Sequence, residues 1–512
     1  MSERLGLGFL ILTFVTALIL FFNLGGVPLM DPDEPVYAET AREMIQFHDF
    51  LSPRIFGEYW YDKPPMYYWL TAGAFQLFGV NEFAARFPSA LLALICALYV
   101  FYAGSRLFDA RAGIMGALVL GTSIEFFYLG KAAVTDITLT LFLTVSLLSF
   151  LLKRYHWFYI GAALATVTKG PIGLLFPGAV VVLYLLAIRD FSELGKMKIP
   201  SGTLLYLVIA LPWYLLMTQL HGSAFIDTFI GFHNITRFTS PEHPEGLLWY
   251  YFIPVLILGF LPWTAVMVQA VWKALYESRE DSRKLIFLLI WAGFIFVFFS
   301  VSRTKLISYI LPMYPPLAMV VGWYFNRISD WRYGSRPLSW PVLFTLLSAL
   351  IWGGLYFGVK AMPELLAGAV AVAVLFGLMT VGVWYFVWRR EIEKGFWLQV
   401  AAMTLFSMVL MTMLLPQAAP AFHSRDIAQA FAANYDGKST VYVAKFLHPG
   451  FTFYSGVYGQ ELKPDEISKI VAGGEKAYLV LRSSDYDRLA PEQKQKLTTV
   501  ATVDNKLLVL KP

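Results

Sequence analysis

Asp31–Met44 reads DPDEPVYAETAREM and Ser52–Leu70 reads SPRIFGEYWYDKPPMYYWL. This polar stretch follows one apolar run, Leu5–Leu24, and precedes a chain that is almost wholly apolar. It gathers the carboxylates Asp31, Asp33, Glu34, Glu39, Glu43, Asp49, Glu58 and Asp62, and it sets Lys63 ahead of a double proline. So dense a group of charges between apolar runs marks the stretch as a first outer loop, with the rest of the chain arranged around it.

The composition agrees. Over 512 residues, 58% are hydrophobic and 15% charged, too few charges to cover a soluble surface of that size, so the chain reads as a polytopic membrane protein. The basic residues are scattered between apolar runs rather than gathered in a stripe, which excludes a nucleic-acid partner. The single cysteine, Cys96, lies inside an apolar run and allows no internal disulfide. The N-terminal run is too long for a signal-peptide core and passes without a small-residue cleavage site into the acidic loop, so it reads as a retained span.

Apolar runs fall at 6–26, 85–107, 112–129, 134–152, 156–167, 170–188, 201–220, 247–272, 285–301, 306–325, 339–359, 364–388 and 396–415, about thirteen spans at roughly 20 residues per crossing. The run 156–167 is short and meets Thr168-Lys-Gly-Pro171, so a re-entrant pair over 156–188 is the alternative there. With the N-terminus in the cytoplasm, about 18 Lys and Arg fall on the cytoplasmic side and about 10 on the other, which orients the chain. The first loop, 29–84, and the tail, 421–512, then face outward, with 1–420 forming the transmembrane domain. The outward cations are Arg42, Arg54, Lys63, Arg86, Lys131, Lys169, Arg237, Arg303, Lys305 and Lys360. Each taken singly fits interfacial snorkelling; together, beside an acidic loop, they suggest a site for an anionic substrate.

Within the loop, Pro35–Phe47 and Pro64–Phe78 have the spacing of helices lying in the membrane surface, with Glu39, Glu43, Asp49 and Glu58 as their wet face. The outward loop 220–246 holds His221, His233 and His243 at no metal-ligand spacing and reads as solvated. Beyond Ala421 hydropathy falls. Helices are expected over Ser424–Tyr435 with a Ser cap, over Pro464–Ala472 and over Asp485–Leu497. Strands are expected over Val441–Phe446, Ala477–Arg482 and Leu507–Leu510, which makes a small α/β domain with no phosphate loop or CxxC.

Outside the cytoplasm no nucleotide sugar or ATP is at hand, so an enzyme there draws on lipid-linked phosphates. It needs cations for the departing phosphate, a carboxylate for the acceptor's proton and a greasy groove for the lipid. Lys63, before Pro64-Pro65 at a helix start, suits an anion. Arg237 can fork onto phosphate. Asp136, about one turn inside a span, is costly there and is a functional candidate by default. Structural readings stand beside these. Asp31, Asp33 and Glu34 fit the acidic start of the helix near Pro35. Asp136 fits a salt bridge to Lys131, and Tyr309 fits an interface-belt tyrosine.

Taken together, Asp31–Met44, YDKPPMYYWL (61–70), TKGP (168–171), NITRF (234–238) and RTKLISYILPMYPPLA (303–318) resemble the GT-C glycosyltransferases of the protein O-mannosyltransferase superfamily, and closest the bacterial lipid A aminoarabinose transferase (ArnT-like) branch. The resemblance covers the whole chain. It implies an all-α polytopic fold of about 13 transmembrane helices, with interfacial helices in the first outer loop and a C-terminal periplasmic α/β domain. It implies catalytic roles for Asp33, Glu34 and Asp136, with Asp33 the general base or the group that orients the acceptor. Lys63, in the position of the lysine of the family's Glu-Lys-Pro-Pro motif, would grip the donor phosphate with Arg237 and Tyr309. This chain has Asp62 where the family has Glu, which leaves a metal or acceptor role at that position open.

The expected function is inverting transfer of a sugar, 4-amino-4-deoxy-L-arabinose or a related one, from undecaprenyl phosphate to lipid A at the periplasmic face of the bacterial inner membrane. The partners are the polyprenyl phosphate-linked sugar, lipid A or another periplasmic acceptor, and membrane lipids. No metal site and no cofactor beyond the lipid-linked donor is read, and a divalent cation is left open but unsupported by the sequence. Two alternatives stand. One is a protein O-mannosyltransferase-like enzyme acting on secreted proteins. The other is a lipid or solute transporter, which the small number of mid-span charges and the lack of a clear internal repeat disfavour.

Overall fold

Backbone away from water must close its own hydrogen bonds, so the apolar runs become helices. The computed structural model describes residues 3–236, 248–277, 281–329 and 336–512. The first helices in chain order are α1 (Glu3–Phe21), α2 (Asp33–Gln46), α3 (Met66–Phe78), α4 (Glu82–Leu107), α5 (Ala110–Thr122), α6 (Ile124–Gly130), α7 (Asp136–Leu151), α8 (Tyr155–Lys169), α9 (Ile172–Ile188) and α10 (Ile199–Ile226). Among the described residues six helices are long and apolar enough to cross a membrane, eight if each of two bent pairs is one span. The protein is therefore a mostly helical, multi-pass membrane protein.

Some runs read as single spans are not single helices. The run 112–129 breaks at Ser123, whose extended backbone lets α5 and α6 bend by 67°. The run 247–272 breaks between Phe252–Gly259 and Thr264–Leu275 by 107°, around Pro262, which cannot continue a helix. The run 306–325 begins as the tight turn Ile307–Met313 before the helix Tyr314–Ser329. Over 156–188 there are two helices, α8 and α9, separated by a turn at Gly170-Pro171.

The chain forms two compact units, one of Met1–Phe22, Tyr61–Tyr67 and Ser89–Met411, the other of Asn23–Trp60, Tyr68–Pro88 and Thr412–Pro512. In the first, the helical unit, small residues set the packing. A Cβ on Gly322 would lie 2.3 Å from the Gly116 nitrogen, and one on Gly161 would lie 2.6 Å from the Ser146 nitrogen. Helices in lipid gain nothing from apolar burial against one another, so such close approach supplies the dispersion contacts that hold them.

The second unit combines the first loop with the tail. In the loop, β1 (Arg54–Ile55) and β2 (Glu58–Tyr59) form a two-residue antiparallel ribbon. In the tail, β3 (Thr440–Ala444), β4 (Gln460–Leu462), β5 (Ala477–Arg482), β6 (Thr498–Val503) and β7 (Lys506–Lys511) form one sheet in the order β4-β3-β5-β7-β6. β3 is parallel to β4 and β5, while β7 is antiparallel to β5 and β6. Alternation fills both faces: Tyr478 and Val480 join one buried cluster, Ala477, Leu479 and Leu481 the other.

The tail differs in places from the sequence expectation. The expected helix Asp485–Leu497 is two short ones, Ser483–Asp487 and Pro491–Gln495, because Pro491 starts a helix but cannot extend one. The strands β4 and β6 and the helix His448–Ser455 were not read from the sequence. Ser424 precedes the helix Arg425–Asn434 without capping it, because its hydroxyl donates to Asp31 instead.

Candidate functional site

In the helical unit, α8 delivers Lys169 on its last turn. The chain then reverses at Gly170, whose φ of 82° and ψ of −150° fall in a region open essentially only to glycine. Asp136 opens α7, and Lys169 Nζ donates to Asp136 Oδ1 at 2.7 Å. The same ammonium lies 4.9 Å from the ring centroid of Tyr309, and the Phe299 ring lies 5.0 Å from that of Tyr309. Asp62 adds a second carboxylate. Its Oδ1 accepts from Lys63 Nζ at 2.7 Å and sits 2.6 Å from His233 Nδ1. Asp62 is near enough to Lys169 to interact with it electrostatically. Asp62, Lys63, Asp136, Lys169, His233 and Tyr309 thus form one neighbourhood, in which lysines face carboxylates beside an aromatic ring.

Several expectations change here. Asp136 does not pair with Lys131. Lys131 Nζ donates to the carbonyl oxygens of Ile19, Leu20 and Phe22 at 3.0, 3.2 and 2.6 Å, which caps the C-terminal end of α1, where carbonyls lack helical partners. Lys305 Nζ likewise donates to the Ser302 carbonyl, at 2.6 Å. Arg237 lies outside the described residues. Sequence reasoning left Lys169 and His233 out of the site. The signal for Lys169 was its place before Gly170-Pro171; His233 carried none that set it apart from its loop. Among the described residues no group of three or more His, Cys, Asp and Glu side chains is placed to hold a metal ion.

In the second unit, Asp33 and Glu34 take different positions in the first turn of α2. Asp33 is exposed. Glu34 is buried in a fork: Arg86 donates from Nε to Oε1 at 2.8 Å and from Nη2 to Oε2 at 2.6 Å. The Met30 N–H adds a third bond to this carboxylate, and Arg86 also donates to the carbonyls of Leu24, Val27 and Pro28. Glu34 therefore ties the start of α2 to α4 and to the chain before it. Asp31 accepts from the Ser424 hydroxyl rather than from the N–H groups of α2, and burial pushes its carboxyl up to about 8.

The wet face expected of α2 is also corrected in part. Glu39 and Glu43 are fully buried, because α2 packs against the helix His448–Ser455 of the same unit. Arg42 Nη2 donates to Glu39 at 2.7 Å and Nη1 to the Phe453 carbonyl at 2.9 Å, while Glu43 accepts the Gly57 N–H at 3.0 Å. Burial pushes Glu39 up to about 7 and raises Glu43 as well. Arg54 is held by Asp49 at 3.3 Å and by the Tyr59 ring. Of the outward cations, Arg42, Arg54 and Arg86 thus serve this unit's own structure.

Comparison with known proteins adds to this geometry. Residues 62–215 match the family model described as dolichyl-phosphate-mannose-protein mannosyltransferase. An uncharacterized protein of Aquifex aeolicus is 32% identical over 69% of this chain and 70% of its own length. An undecaprenyl phosphate-alpha-4-amino-4-deoxy-L-arabinose arabinosyl transferase of Edwardsiella ictaluri is 29% identical over 80% of this chain and 77% of its own. The crystal structure of ArnT from Cupriavidus metallidurans bound to undecaprenyl phosphate superposes with a TM-score of 0.83 at 26% identity, covering 99% of this chain and 98% of that one.

Proposed function

The chain belongs to the ArnT-like branch of the GT-C glycosyltransferases, and from that premise we propose that it is an inverting transferase moving 4-amino-4-deoxy-L-arabinose, or a related sugar, from undecaprenyl phosphate to lipid A. The observation that carries the reading is the pairing of Lys63 with Asp62 and of Lys169 with Asp136 in one partly buried neighbourhood. An ammonium on a flexible stem can turn from its carboxylate to a phosphate, and away from bulk water that attraction is strong.

In the proposed reaction the acceptor hydroxyl oxygen attacks the anomeric carbon from the side opposite the phosphate. The bond from that carbon to the phosphate oxygen breaks, and undecaprenyl phosphate leaves with the electron pair. Lys63, Lys169 and Arg237 stabilise the charge that gathers on the leaving phosphate, and Tyr309 orients Lys169. Asp136 fixes the Lys169 ammonium. Asp33 takes the acceptor's proton. Glu34, with both oxygens held by Arg86, acts by positioning α2 rather than by taking protons.

The proposal includes thirteen crossings, the N-terminus in the cytoplasm, and the first loop and the tail in the periplasm of a bacterium. The excess of Lys and Arg in the loops on the other side supports that orientation. The test is mass spectrometry of lipid A from cells with and without the gene. A mass increment of one aminopentose, present only with the gene, is expected. A second reading, transfer to a protein hydroxyl, is favoured by the mannosyltransferase description of the family model over residues 62–215. Unchanged lipid A with altered glycoproteins would establish it and overturn the first.

A further inference from the structure

We infer that a hollow formed by Lys153–Trp157 and Lys198 binds the phosphate headgroup of an anionic phospholipid, on the face opposite the proposed reaction. The hollow has a volume of about 350 Å³ and is lined by Lys153, Arg154, Tyr155, His156, Trp157 and Lys198. It lies in the helical unit at the start of α8, the helix whose last residue is Lys169.

Both helices that start at this hollow have a cation where an acceptor normally sits. Arg154 is the N-cap residue of α8 and Lys198 that of α10, and neither side chain makes a capping bond. First-turn N–H groups carry partial positive charge, so N-caps favour Ser, Thr, Asp or Asn. A cation at both caps is repulsive unless an anion lies between them. Lys153 and Lys198 also adopt left-handed backbone, with φ of 59° and 52°, where glycine is the residue of lowest cost. Topology alone needs only cationic loops, not a hollow lined by the N-cap residues of two helices.

The acid that touches this set is already engaged. Glu193 is held by Lys153 at 2.5 Å, by Lys196 at 3.1 Å and by the Tyr155 hydroxyl at 2.5 Å. Burial would raise its carboxyl, but these partners win and hold it down to about 2, so it stays charged at any physiological pH. Arg154 lies over the Tyr102 ring at 5.3 Å, and His156 and Lys198 are exposed.

The surroundings select a lipid over a soluble anion. Trp157 is half exposed, as interfacial tryptophans are, and α10 rises from Lys198 with Ile199, Leu204, Leu207, Val208 and Leu211 exposed along it. A headgroup in the hollow would lay its acyl chains on that apolar face. Each Lys or Arg near an anionic membrane surface adds attraction, so several around one phosphate give preference over a zwitterionic lipid.

The test uses the full chain, purified in neutral detergent and freed of lipid. It is offered vesicles of phosphatidylcholine alone, or of phosphatidylcholine with an equal part of phosphatidylglycerol, and retained lipid is counted by native mass spectrometry. Wild type is expected to retain phosphatidylglycerol selectively. Lys153→Ala with Lys198→Ala should weaken retention about tenfold, and inorganic phosphate in excess should not compete. Should the double variant fold poorly, Lys198→Glu alone serves, with thermal melting as the control for folding. Equal retention by wild type and a folded variant, or no preference over phosphatidylcholine, would overturn the inference. Full displacement by inorganic phosphate would overturn the assignment to a lipid.

Discussion

The pairs Lys169–Asp136 and Arg86–Glu34 join the same kinds of group and do different work. Arg86 places two parallel donors on Glu34 and the rest on backbone carbonyls, so both partners are fully engaged and buried. Lys169 makes one hydrogen bond to Asp136 and lies over the Tyr309 ring. A planar bidentate fork holds a fixed geometry, while an ammonium on a flexible stem can turn toward a new anion. Arg86 therefore holds structure, while Lys169 keeps the freedom to turn to a substrate anion.

The comparison can be broken at either end. The largest effect is expected at the fork. Arg86→Ala leaves the Glu34 carboxylate buried and unpaired, which should cost about 3–5 kcal/mol and appear as a large fall in melting temperature or loss of folded protein. A variant that melts like wild type would show that Glu34 is not held as described. At the other pair, Lys169→Met should lower transfer about 10²-fold, the loss typical of one donor to developing charge, with a smaller fall in melting temperature than Arg86→Ala because one hydrogen bond is lost rather than a fork. Asp136→Asn should lose less. If Lys169→Met reduces stability and transfer in step, the pair is structural and the contrast fails.

Gly170→Ala tests how Lys169 is delivered. An alanine forced into that backbone region costs of order 1–3 kcal/mol, so the turn should relax and carry Lys169 away from Asp136. Transfer should fall more than melting temperature. Preserved transfer would mean the turn tolerates a side chain. The smallest effect concerns Glu39. Its carboxyl is raised from 4.5 to about 7 by burial, so the folded state keeps a proton that the unfolded state has lost. Stability should therefore decline as pH rises from about 4.5 to 7. Glu43, Arg42 and Tyr458 share that environment. Glu39→Gln should flatten the slope of melting temperature over this window, and an unchanged slope would place the dependence elsewhere.

Much of the membrane architecture was legible because apolar runs of spanning length have few other fates. The positions of α1, α4, α7 and α10 follow from hydropathy alone. The breaks at Ser123 and Pro262 did not, because a bend inside an apolar run leaves the average hydropathy unchanged. On α2, the polar spacing was read as a wet face, yet Glu39 and Glu43 are buried under a helix more than 400 residues away, at His448–Ser455. Only tertiary contact reveals that. The lysine of Asp-Lys-Pro-Pro stood out in the sequence because two prolines follow it. Lys169 was passed over, since its partner Asp136 lies 33 residues away and Lys131 was nearer along the chain.

Lys63 and Lys169 are proposed to hold the donor phosphate, and Lys63→Ala separates that role from a structural one. The full-length variant, reconstituted in lipid, is assayed for transfer from the undecaprenyl phosphate sugar beside its thermal melting curve. A loss of about 10²–10³-fold in kcat/KM with melting unchanged is the expected result. Wild-type transfer by a folded Lys63→Ala protein would contradict the account.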